Sequence, residues 1–157
     1  MEVEWTGNRT IGAQALESIL ACGLGRFAVM DVTAIIHLSD DDYLPLSGEY
    51  ALELLGQSPE LAPSGYLADV FDCDDFALCA RARAACIARA RLWRHPICLG
   101  IVQTRSHAMN FTVDGRGRLW LVDFIYRRTR CEHFERFLER ELGHRCLVRH
   151  SLEFIYA

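Results

Sequence analysis

The stretch from Cys73 to about Trp93 leaves this chain few ways to fold. Cys73, Ala77, Ala80, Ala84, Ile87 and Ala88 fall on one face at helical spacing, and all but Ile87 are small. Small side chains let a neighbouring backbone approach closely, so the spacing predicts a long central helix buried against a sheet. Asp72 is a natural N-cap, and Asp75 three positions on completes a capping-box arrangement. Pro96 ends the run. Arg81, Arg83, Arg89, Arg91 and Arg94 lie around the remaining surface, the usual place for a solvated charged face.

The flanks read as α+β. Residues 13 to 21 form a helix closed by Gly23, and the Val- and Ile-rich run Phe27 to Leu38 reads as a strand. Gly48 to Leu55 is a short helix with Ser47 as N-cap and Gly56 as stop. Beyond Pro96 come strands at 97 to 103, 107 to 113 and 118 to 126, with a hairpin turn at Asp114-Gly115-Arg116-Gly117. An amphipathic helix at 132 to 142 and a last strand at 146 to 156 complete the chain. Helices first and a mostly antiparallel sheet afterwards is the α+β order. No composition shift marks a linker, so residues 1 to 157 read as a single domain.

A hydrophobic fraction of 51% over 157 residues is enough for a real core. The formal charge of −4 gives no electrostatic footprint for nucleic acid. All 17 basic residues are arginine, which fits a GC-rich genome or avoidance of ubiquitin acceptors in a foreign cell. Seven scattered cysteines form neither a CxxC pair nor a zinc spacing, as expected of a reduced, cytoplasmic protein. The acidic Met-Glu-Val-Glu-Trp start is unlike a signal peptide, and no run is long and apolar enough for a membrane.

The chemistry gathers at three places. Cys73 opens the central helix, where the macrodipole and free N–H groups favour a thiolate. His107 opens an alternating strand, with Met109 and Phe111 on its face and Ala108 and Asn110 on the other. Asp123 lies on the hairpin partner strand, a third group able to fix an imidazole tautomer. A two-residue loop at Gly115-Arg116 is expected to set His107 opposite Phe124, whereas a bulged three-residue loop is expected to bring Asp123 opposite His107. Asp72, Asp74 and Asp75 oppose ionisation of the thiol, each costing roughly 0.7 kcal/mol at ~6 Å in a water-like dielectric. A cation among them resolves the conflict, and hard oxygen donors point to Ca²⁺ or Mn²⁺. Helix capping alone is the other reading of Asp72 and Asp75.

The run Asp72-Cys73-Asp74-Asp75-Phe76-Ala77 followed by His107-Ala108-Met109-Asn110 resembles the DCDDFA … HAxN pattern of a papain-like cysteine protease family. Its members include the C-terminal domain of the fairy-ring mushroom agglutinin and many small phage or prophage proteins. The resemblance covers roughly residues 40 to 125. It implies a papain-like fold, a Cys73 nucleophile, a His107 base and Asp123 as third member. It further implies calcium dependence, with the aspartates around Cys73 as metal ligands. Two departures stand out: Asp123-Phe124 replaces an expected Glu-Pro, and no Gln or Asn precedes Cys73 as an oxyanion donor.

Three functions follow as expectations. The first is a metal-assisted cysteine peptidase or amidase acting on a peptide or protein substrate, peptidoglycan hydrolysis included. The second is a non-catalytic, phage-type binding module on the same fold. The third is an acyl transferase of transglutaminase type.

Overall fold

The computed structural model describes residues 9–25, 36–68, 70–104, 108–130 and 152–156. The expectations for residues 27 to 35, 107, 132 to 142 and 146 to 151 lie outside the described residues. Within them are three α-helices, α1 (Ala13–Gly25), α2 (Gly48–Leu55) and α3 (Cys73–Ala90). The strands are β1 (Ile11–Gly12), β2 (Ile36–His37), β3 (Asp42–Tyr43), β4 (Leu99–Thr104), β5 (Ala108–Val113), β6 (Leu119–Asp123), β7 (Arg128–Arg130) and β8 (Leu152–Tyr156). Strands β1 and β3 pair with each other, and the other six form one sheet in the order β2-β8-β4-β5-β6-β7. Every pair in that sheet is antiparallel except β2 with β8. The α+β expectation holds.

Alternation along the strands sends side chains to two helical layers. Phe111, Val113 and Leu121 pack with Leu16 and Leu20 of α1. Leu99 and Val122 pack on the other face with Ala51 and Leu55 of α2 and Phe76, Ala80, Ala84 and Ala88 of α3. The small-residue face of α3 is therefore buried as the spacing requires, with Ala80 at 0% exposure. Asp72 and Asp75 form the expected capping box: the Asp72 side chain takes the Asp75 N–H, and Asp72 N–H donates to Asp75 Oδ2 at 3.2 Å. Ser47 caps α2 by accepting from Tyr50 N–H, and Gly56 follows its last residue, as expected.

Three local expectations change. Helix α1 runs through Gly23, the expected stop, to Gly25. Helix α3 stops at Ala90, because Leu92 takes a left-handed conformation at φ 54°. The β5–β6 hairpin closes with Asp114 N–H on Arg118 C=O at 3.1 Å and Gly117 at φ +76°, which makes a three-residue loop. Its register pairs Asn110 with Val122 and Phe111 with Leu121. One step further along, Asp123 is level with Met109. Neither register expected from the loop length occurs.

Candidate functional site

The site is built where the first turn of α3 meets the start of β5. Cys73 is half-buried there, packed against Ala77, Ile101 and Ala108. Its Sγ accepts the Ala108 N–H at 3.3 Å, tying the helix terminus to the strand. One turn on, buried Asn110 donates from Nδ2 to Ala77 C=O and to Gly100 C=O, both at 3.0 Å. An amide at a core position thus pins α3 to both β4 and β5. No role was read for Asn110 in the sequence; a strongly polar side chain on the strand face shared with Ala108 was the available signal.

Asp72, Cys73 and Asp74 bring one ligand atom each within 4.8 Å of one another, a grouping able to hold a cation. Asp72 Oδ1 is buried with no hydrogen-bond partner. Asp74 titrates above its ordinary value, first because it hydrogen-bonds the Asp72 carboxyl and then through desolvation. Two carboxyls this close repel each other as anions, and a cation placed between them would relieve that repulsion. Asp75 does not join the cluster; its carboxylate closes the capping box.

Asp123 has a different occupation from the one expected. Its Oδ1 accepts the N–H groups of Ile125 and Tyr126, at 3.1 and 3.2 Å, and so organises the turn after β6. By strand alternation it shares the face of Leu121, which packs toward α1, away from α3 and Cys73. His107 lies outside the described residues. Of the expected site residues, the structure gathers Asp72, Cys73 and Asp74, gives Asp75 to the cap and gives Asp123 to a turn.

No protein-family model matches the chain, and no curated protein matches it. Solved structures do. A complex of PSL1a with E64 superposes with a TM-score of 0.70 at 15% identity, over 94% of this chain and 51% of that one. A Polyporus squamosus lectin bound to the human-type influenza-binding epitope Neu5Acα2-6Galβ1-4GlcNAc superposes with a TM-score of 0.66 at 16% identity. That second match covers 94% of this chain and 49% of the lectin. The chain therefore spans about half the length of these neighbours, and identity this low carries the fold alone.

These neighbours correct the sequence reading. They are lectin structures, so the assignment to a papain-like cysteine protease family is overturned, and with it the papain-like label on the α+β fold. The thiol-hydrolase reading, with Cys73, His107 and Asp123 as a triad acting on a peptide or protein substrate, is withdrawn with that assignment. Among the described residues no helix is long and apolar enough to cross a membrane.

Proposed function

We propose that the chain is a non-catalytic binding module whose ligand is a carbohydrate. The observation that carries this reading is the likeness, over 94% of the chain, to a lectin bound to a sialylated trisaccharide. A second observation supports the position of the site. Asp72 and Asp74 offer two adjacent carboxylates, one with an unpartnered buried oxygen, beside a thiol held on Ala108 N–H.

In this reading Asp72 and Asp74 hold Ca²⁺ or Mn²⁺. The donors fit a hard cation, which prefers oxygen, and Ca²⁺ takes about six to eight such ligands. Two carboxylates leave most positions to water and to ligand hydroxyls, the open shell that sugar recognition needs. Cys73 contributes shape, its half-buried side chain packing on Ala77, Ile101 and Ala108 while the Ala108 N–H holds its sulfur in place.

Isothermal titration with Neu5Acα2-6Galβ1-4GlcNAc, in Ca²⁺, in Mn²⁺ and in chelator, tests the proposal. Saturable binding that persists in Cys73→Ala and weakens at least about tenfold in Asp72→Asn or Asp74→Asn is expected. Absence of binding to this trisaccharide and to a panel of neutral and sialylated glycans would overturn the carbohydrate reading. Binding that ignores chelator and both Asn variants would move the site elsewhere.

A further inference from the structure

The segment leading into α3 turns back on itself just before the candidate site. Leu67 and Phe71 exchange both backbone hydrogen bonds, at 2.9 and 2.8 Å, and form an antiparallel bridge. Continued one step, that pairing sets Tyr66 across from Asp72, where facing side chains start about 5 Å apart. The Tyr66 ring stacks on Phe76, with centroids 6.4 Å and planes 30° apart. Phe71 closes on the same Phe76 ring at 5.0 Å and 60°. Phe76 is 2% exposed, and its N–H donates to Asp72 C=O at 3.0 Å, so the base of this stack belongs to the core and to the first turn of α3. Tyr66 itself is 44% exposed. An aromatic ring is thus backed by the core on one side, turned to water on the other, and fixed beside the Asp72 and Asp74 carboxylates.

From this placement we propose that Tyr66 is a specificity-determining residue of the site, a stacking platform that selects a pyranose with an axial 4-hydroxyl. The inference rests on the carbohydrate reading above and adds to it the class of sugar. The face of an aromatic ring carries partial negative charge and attracts polarised C–H groups. An axial 4-hydroxyl leaves C3–H, C4–H and C5–H as one unbroken patch on a single face of the sugar. An equatorial 4-hydroxyl moves C4–H to the opposite face and breaks that patch. With the unbroken face laid on Tyr66, the 3- and 4-hydroxyls at the sugar's edge are turned to the Asp72–Asp74 cluster, one facing pair of residues away. The two halves of the site then read two features of one ring: the carboxylates take its hydroxyls and the tyrosine takes its C–H face. A few placed polar groups beside an aromatic wall is the usual make-up of a small-ligand site.

Two measurements on the full chain test it, with methyl β-D-galactopyranoside and methyl β-D-glucopyranoside as probes. In calorimetric titration the parent should bind the galactoside at least about fivefold more tightly than the glucoside. Tyr66→Phe keeps the ring and should keep that ratio. Tyr66→Leu keeps apolar bulk on Phe76 but removes the ring face, so the ratio should fall to about one while the thermal melt still shows a folded chain. Saturation-transfer NMR on the parent alone, which needs no variant to fold, should mark the galactoside protons H3, H4 and H5 above H2. A parent that does not tell the two sugars apart, a preference that survives in Tyr66→Leu, or even saturation around the ring would each overturn the platform. If glycan binding in those cases still weakens in Asp72→Asn and Asp74→Asn, the carbohydrate reading stands without it. A parent that binds no glycan at all overturns both.

Discussion

Replacing Asn110 tests whether the first turns of α3 are held to the sheet by one amide. Its Nδ2 reaches Ala77 C=O and Gly100 C=O, both at 3.0 Å, and the residue is 1% exposed. Each such bond contributes about 1 kcal/mol net, and truncation also opens a small void. Asn110→Ala should therefore cost about 2–3 kcal/mol and lower Tm by roughly 5–10 °C for a chain of this size. Asn110→Asp is the sharper variant, since it keeps the shape but aims a carboxylate at two carbonyl oxygens. It should cost more than about 3 kcal/mol at neutral pH. Burial beside acceptors raises the introduced carboxyl's pKa, so the folded state favours its protonated form. The deficit should accordingly be largest above that raised pKa and shrink as pH falls through it. Urea denaturation of the three proteins at neutral and mildly acidic pH measures both effects. If Asn110→Ala stays within about 0.5 kcal/mol of the parent, the amide does not hold the helix and this account of the site's rigidity is wrong.

Other outcomes follow from the same geometry. Asp114 accepts from Arg118 Nε at 2.7 Å, Trp120 Nε1 at 3.0 Å and the N–H groups of Arg116 and Arg118, so Asp114→Ala should cost about 2–4 kcal/mol by denaturant melt. Burial pushes the Asp114 pKa up, but the bonds from Trp120, Arg118 and Arg116 outweigh it and hold the carboxyl below its ordinary value. That stability is present above the unfolded value of 3.8 and is lost as pH falls through the lower folded one, so acid melts should separate the parent from Asp114→Ala least at the lowest pH. A Cβ on Gly48 would lie 2.7 Å from Trp120 Cε3, so Gly48→Ala should cost about 1–3 kcal/mol by the same assay. Iodoacetamide mapped by mass spectrometry should reach exposed Cys22 and Cys86 first and Cys79, whose pKa burial raises, more slowly. Cys98, fully buried with its thiol pushed up to about 12, should stay unmodified until the chain unfolds.

Local signals were the legible part of this fold. The capping box at Asp72 and Asp75, the small face of α3 and the Ser47 cap of α2 each depend on residues within one or two turns, and each appears as expected. Positions that depend on backbone choice were not legible. Leu92, a residue with no tendency to adopt positive φ, ends α3, and Gly117 at φ +76° sets a hairpin register that composition does not specify. Asp123 looked like a third catalytic group because it is an acid near a strand end. Its Oδ1 accepts backbone N–H groups two and three residues on, a role any turn aspartate can take. At 15 and 16% identity the likeness to the lectin structures rests on the fold, which no single motif specifies.

The sheet order also divides the chain by how far each strand must search for its neighbour. Strands β4 to β7 pair in succession along residues 99 to 130, whereas β8, at 152–156, inserts between β4 and the short β2 at 36–37. The first group can zip up through nearby turns, and the second must close loops of tens of residues before it gains any contact. Assembly should therefore be sequential, with the meander and α3 forming early while the exposed β4 edge waits for β8. During that wait an unpaired strand flanks the half-built site, which makes the interval before β8 arrives the time when a foreign strand competes best for its place.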